Sequence, residues 1–160
     1  MRILATFILS ASLVSTGASA FDSEHLKQLK ETNACSKCDL SDADLSDLDL
    51  AKAKINRTNL SGANLSGANL MFANLVGSRF IGANMTEINL SAANASGANL
   101  KGANLTDAKL IRSRLRGANL AETDLTGANM KGANLSDISQ DKAIFCNTIM
   151  SNGSVERSGC

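Results

Sequence analysis

The chain has 160 residues, with 16 Lys or Arg against 15 Asp or Glu, four cysteines, and no Trp, Tyr or Pro. That length suits one compact domain. The near-neutral balance excludes the strong basic excess of a nucleic-acid binder and the strong acidic excess of a nucleic-acid mimic.

Residues 1–20 read as a secretory signal peptide. Arg2 supplies the positive start, Ile3 to Val14 an apolar run, and Ala18-Ser19-Ala20 a small-residue site for cleavage after Ala20. The run is shorter than the ~20 residues that span a bilayer, so a transmembrane anchor is not expected. No cysteine follows the cleavage site to carry a lipid, and no later stretch is apolar enough to span a membrane. Cleavage removes one basic residue, Arg2, leaving 15 of each sign. The expected location is periplasmic or secreted.

Residues 21–37 are expected to form an N-terminal cap. Within them 22–32, DSEHLKQLKET, predicts a short helix with Asp22 or Ser23 as N-cap and Leu26 and Leu29 on one face.

From Cys38 to Asp137 a period of five runs without insertion or deletion. Every residue at a multiple of five from 40 to 135 is apolar. Two positions earlier stands a small residue, usually Ala, as at Ala63, Ala68 and Ala73. One position earlier stands Asn twelve times, Asp four times and Lys or Arg four times. Gly recurs nine times two positions after the apolar residue, as in SGANLSGANL at 61–70.

A period of five fits neither standard element. On an α-helix, at ~100° per residue, the leucines would drift around the surface. On a flat strand they would alternate between faces. All of them point inward only if the chain turns a corner every five residues, and Gly, Asn and Asp suit such turns. A chain that keeps turning stacks on itself at the ~4.8 Å spacing of hydrogen-bonded strands. Every N–H is then needed by a neighbouring coil, which agrees with the absence of Pro.

The A-(N/D)-L-x-x run resembles the pentapeptide-repeat family over 100 of the 140 residues from Phe21 onward. The resemblance implies an all-β fold, a right-handed quadrilateral β-helix with four pentapeptides per coil. Residues 38–137 would then make about five coils, a rod of roughly 24 Å. The number four comes from the resemblance, since no separate period of twenty is visible. Phe80, Met85, Leu90 and Ala95 would share one coil, the largest central residue compensating the smallest.

Residues 138–160 are expected to form a C-terminal cap, with the apolar stretch 143–150, AIFCNTIM, over the end of the solenoid. Caps are needed because an open β-helix exposes strand edges. Cys35 and Cys38 precede the first coil, while Cys146 and Cys160 follow the last. Four cysteines allow three connectivities. With the implied coils between the pairs and a reach of ~7 Å between Cα atoms, the expected bridges are Cys35–Cys38 and Cys146–Cys160, as an oxidising compartment favours. The ends, CSKCDLSDADL and FCNTIMSNGSVERSGC, also resemble an exported bacterial subgroup with a CxxC[DN]L opening and an FCxT…GC close, for which no activity is implied.

No enzyme is expected. There is no Ser/His/Asp arrangement and no phosphate-cradling glycine loop, and His25 stands alone on the cap helix. The C-x-x-C lacks the βαβ setting of thioredoxin-like chemistry and has one other nearby metal ligand, His25, where zinc needs four. No cofactor or metal is expected. Topoisomerase regulation by DNA mimicry, known in the family, requires an acidic rod in the cytoplasm, and this chain departs on both counts.

Two surfaces remain. Lys109, Arg112, Arg114 and Arg116 form a basic corner, which suits either an ordinary solvated patch or an anionic envelope partner. Met71, Phe72, Val76 and Ile81 place apolar groups outside the inward columns, and a partner or homodimer contact is one reading of them. The expected function is an exported structural or protein-interaction scaffold. Alternatives are a redox-responsive module using Cys35 and Cys38 or, less favoured, a topoisomerase-regulating mimic. Similar proteins also occur in the thylakoid lumen, which the sequence does not separate from the other compartments.

Overall fold

The backbone of one repeat accounts for all of its N–H groups, and that accounting makes the fold. In the computed structural model, which describes residues 21–160, Leu60 N–H donates to Arg79 O at 2.7 Å and Gly62 N–H to Ile81 O at 2.9 Å. Ala63 N–H closes the corner on Leu60 O at 3.2 Å, and Asn64 N–H donates back to Ala43 O at 3.0 Å. The remaining donor, Ser61 N–H, is taken by the side-chain Oδ1 of Asn59 at 3.3 Å. Four donors therefore serve the backbone and the fifth is served by Asn or Asp, which explains the Asn column in the sequence. The expected signal peptide and cleavage site lie outside the described residues.

Parallel bridges join residues twenty apart, from Ala34↔Lys54 to Asn129↔Ile149. Four pentapeptides thus return the chain to its own column. The fold is a right-handed β-helical solenoid with a single helix, α1 (Ser23–Thr32), at its N-terminal end. The same bridging continues past Asp137, through Asp124↔Ile144 and Asn129↔Ile149.

Corner geometry explains the glycines. The second corner residue adopts left-handed φ throughout, for example Gly62 at 70°. At Gly62 a Cβ would lie 2.0 Å from Asp42 Oδ1, so the column neighbour's carboxylate occupies the space a side chain would need.

The central and small columns fill the interior. Leu60, Leu65, Leu70, Leu75 and Phe80 are fully buried, with Ala63 and Ala68 beside them. At four of the five positions where Ser or Thr replaces the small residue, the hydroxyl donates to the carbonyl 23 residues earlier, while the buried Ser113 hydroxyl has no partner among the described residues. Ser78 Oγ reaches Ile55 O at 2.7 Å, and Thr123 Oγ1 reaches Leu100 O at 2.8 Å. A buried hydroxyl without such a partner is costly, so the carbonyl lowers the cost of polarity at Thr58, Ser78, Thr123 and Thr148, whereas Ser113 bears it.

Both ends are covered. Asp22 caps α1 by accepting Glu24 N–H at 2.9 Å, Leu29 is buried against the first coil, and Asn33 closes the helix in the left-handed region at φ 53°. Asn33 Nδ2 then donates to Ala51 O at 2.8 Å, tying the cap to the solenoid. At the other end β1 (Thr148–Ile149) pairs antiparallel with β2 (Val155–Glu156), so the last edge meets the chain's own tail. Among the described residues no helix is long and apolar enough to cross a membrane.

Disulfides brace the same two ends, Cys35 to Cys38 and Cys146 to Cys160. Cys35 and Cys38 occupy the two inward positions flanking a corner, where other repeats place Leu and Ala. Their Cα atoms are 5.5 Å apart, within the range a disulfide spans.

Candidate functional site: a groove on one corner

One corner column departs from the rest. It stacks Ala51-Lys52, Met71-Phe72, Ser91-Ala92, Ile111-Arg112 and Lys131-Gly132, each step joined by a hydrogen bond such as Phe72 N–H to Ser91 O at 3.1 Å and Ala92 N–H to Ile111 O at 2.9 Å. Side chains of this column enclose a groove of about 720 Å³, with Met71 and Phe72 at one end, Ser91 and Ala92 in its floor, and Ile111, Arg112 and Lys131 at the other end.

Phe72 defines it. It stands where Gly recurs, in the left-handed region at φ 60°, and is 57% exposed. A left-handed non-Gly residue costs about 1–3 kcal/mol, and a side chain this exposed recovers only part of that through burial. Arg112 is also left-handed, at φ 55°. Its Cγ lies 3.3 Å from where a Cβ of Gly132 would stand, so Gly132 leaves room for the arginine stem.

The four basic candidates separate. Arg112 lines the groove. Lys109 lies on the preceding face, bridged between Asn89 and Asn129, and Arg114 on the following face between Asn94 and Asn134. Arg116 sits one corner further on, its Nε 3.3 Å from Asp137 Oδ2, with both side chains exposed. Of the apolar candidates, Met71 and Phe72 enter the groove, while Val76 and Ile81 fall on other corners and are half-buried. Sequence reasoning missed Ala92, Ile111 and Lys131. The signal was available: writing the repeats in rows of twenty aligns them beneath Met71 and Phe72.

Lys54, Arg79, Lys109 and Arg114 interrupt the Asn columns, and Lys and Arg have no acceptor for the following N–H. Arg114→Asn is therefore expected to stabilise the fold by about 0.5–1.5 kcal/mol, giving Arg116 N–H the acceptor that Ala121 N–H finds in Asn119 Oδ1 at 3.0 Å. Urea unfolding would register the gain as a raised midpoint. An unchanged or lowered midpoint would contradict this reading of the Asn column.

At the N-terminal end the Ser41 hydroxyl and N–H hold the Asp39 carboxyl below its ordinary range, and Ser46 does the same for Asp44. His25 Nδ1 accepts Asp39 N–H at 3.1 Å, so the cap histidine satisfies a donor on the first coil.

These features define a β-helical repeat solenoid with a groove along one edge. The chain belongs to the family of pentapeptide repeats, whose family model matches residues 35–70, 68–107 and 103–138. It is similar to the crystal structure of a pentapeptide repeat protein, Rfr23, from the cyanobacterium Cyanothece 51142. The identity is 29% and the TM-score 0.73, over 79% of this chain and 97% of that one. A pentapeptide repeat protein from the Arabidopsis thaliana thylakoid lumen matches at 25% identity and a TM-score of 0.38, over 76% and 75% of the two chains. The plasmid-mediated fluoroquinolone resistance protein QnrB1 matches at 19% and 0.33, over 79% and 80%. No curated protein matches the chain.

Proposed function

We propose that the protein is an exported scaffold, a quadrilateral β-helix of about five coils, that acts by surface contact and carries no catalytic activity. The observation that carries this reading is the corner groove, where an exposed aromatic is held in a backbone conformation that disfavours it. Left-handed φ is shared by many non-Gly corner residues, but Phe72 alone of them presents a large apolar side chain to solvent, which points to contact with another molecule. Export is supported by the N-terminal signal pattern and by two disulfides, which persist in oxidising compartments. The burial of Cys35 and Cys38, at 0% and 5% exposure, supports a structural brace over a dithiol that exchanges with solvent partners.

In-cell cross-linking followed by mass spectrometry of the envelope fraction tests the scaffold reading. Wild type is expected to capture a discrete species that a Phe72→Gly/Arg112→Ala/Lys131→Ala variant loses. Equal capture by both would remove the groove from the function.

A further inference from the structure

The lining of the corner groove bears on what would occupy it. Its two halves differ in chemistry. Met71 and Phe72 offer apolar and aromatic surface, Arg112 and Lys131 offer cations, and small Ser91 and Ala92 lie between them. Because every coil repeats the column at a fixed interval of twenty residues, a two-fold axis through Ala92 and perpendicular to the solenoid has a defined result. It sets residue 72 opposite residue 112 of an antiparallel copy, and residue 71 opposite residue 111.

We propose that the protein forms an isologous, antiparallel dimer through this corner, with Phe72 of each subunit against the partner's Arg112 and Met71 against the partner's Ile111. A guanidinium over a phenyl face is a favourable pair that strengthens on desolvation. The same operation opposes no like charges within the column. Lys52 meets the partner's Gly132, and Lys131 meets the partner's Ala51. On the flanking faces Lys54 meets the partner's Asn134, Arg114 the partner's Asn74, Lys109 the partner's Asn69 and Asp49 the partner's Asn129. Small residues at the axis allow the two edges to approach, and half-buried Ala92 lies lower than exposed Phe72 and Arg112 on either side. This self-complementarity favours a second copy over a purely anionic partner, which would leave Phe72 and Met71 unmatched. The inference rests on the groove being a contact surface and identifies its occupant.

A residue on a two-fold axis meets its own mate, which gives a direct test. In the purified mature protein, Ala92→Cys is expected to form an intermolecular disulfide under mild oxidation. Glu122→Cys, a more exposed left-handed position on the opposite corner with φ 59°, is expected to remain monomeric. In sedimentation velocity across a concentration series, Phe72→Gly is expected to weaken association about tenfold or more, while its melting temperature holds or rises because the left-handed strain is relieved. That combination separates loss of contact from loss of fold. Wild type sedimenting as a monomer at the highest concentration, or Ala92→Cys and Glu122→Cys cross-linking equally, would overturn the dimer. If a different protein were then captured through the groove in cells, the scaffold reading would stand without it.

Discussion

Phe80→Ala is expected to destabilise the solenoid by about 3–5 kcal/mol, and Ala95→Leu in the same background to restore part of the loss. Phe80 is fully buried and Ala95 is 4% exposed, and both are central residues of one stretch of twenty, with Met85 and Leu90 between them. A layer packed to interior density has one total volume to distribute among its four central side chains. Removing the phenyl ring leaves a cavity that neighbouring coils cannot collapse into, because each is held at strand spacing by its own ladder, as in Phe80 N–H to Asn99 O at 2.7 Å. Alone, Ala95→Leu should overpack the layer, at about 1–3 kcal/mol. Together the two changes should couple by about 0.5–3 kcal/mol in the favourable direction. Urea unfolding of the four proteins completes the double-mutant cycle. Strict additivity would mean that the two residues do not share a packed layer, and the volume argument would fall.

How far this was legible in the sequence follows from which interactions are local. The five-residue period exposes the inward columns directly, since a corner is made within one repeat by bonds such as Ala63 N–H to Leu60 O. Cap helix α1 was equally local, with Asp22 at its start and Asn33 past its end. The groove was legible only through the twenty-residue interval that the family resemblance implies, because that interval has no sequence period of its own and shows in the structure as bridges twenty residues apart. Phe72 and Arg112 each stood out as departures, but their shared corner became visible only once Phe72, Ala92 and Arg112 were placed in one column. Coil geometry beyond Asp137 was hidden for a related reason. Gln140 occupies a central position and Ile144 and Ile149 occupy outward ones, so the letters stop repeating while the hydrogen bonds continue, with Ile144 N–H to Thr123 O and Ile149 N–H to Ala128 O, each at 2.9 Å. The role of Asn was half visible: its turn preference could be read, but its service to the fifth N–H required the ladder.

The strained corner also bears on the balance between stability and contact. Arg114→Asn and Phe72→Gly both move the chain toward its own consensus, and both are expected to hold or raise stability. Residues that weaken a fold yet sit on its surface are the ones a contact would retain. The two substitutions lie on neighbouring parts of one edge, beside the groove, while other departures such as Arg79 and Glu87 lie on other faces and corners.

Loss of the Cys146–Cys160 bridge is the second large effect expected, and it should act locally. The bridge joins residues 14 apart in sequence, and opening a loop of that size releases about 3 kcal/mol of constraint on the unfolded chain. What it holds is the cover of the last coil: β2 pairs with β1, and Phe145 N–H donates to Ser158 O at 3.0 Å. In Cys160→Ser the tail can leave, exposing the edge of 144–149 and the half-exposed Ile144 to water and to other chains. Because a solenoid's coils depend mainly on their neighbours, fraying should begin there and decline toward the centre. Amide exchange is expected to accelerate first at Ile144 and Ile149, while Leu60 and Leu65 keep their protection, and the variant should self-associate as concentration rises. The Cys35–Cys38 bridge spans three positions and closes a much shorter loop, worth about 2 kcal/mol by the same relation. Its removal should loosen the first corner beneath α1 without reaching 144–149. Uniform acceleration along the whole chain in Cys160→Ser would show instead that the coils unfold as one unit, and that the tail holds the entire solenoid together and not merely its end.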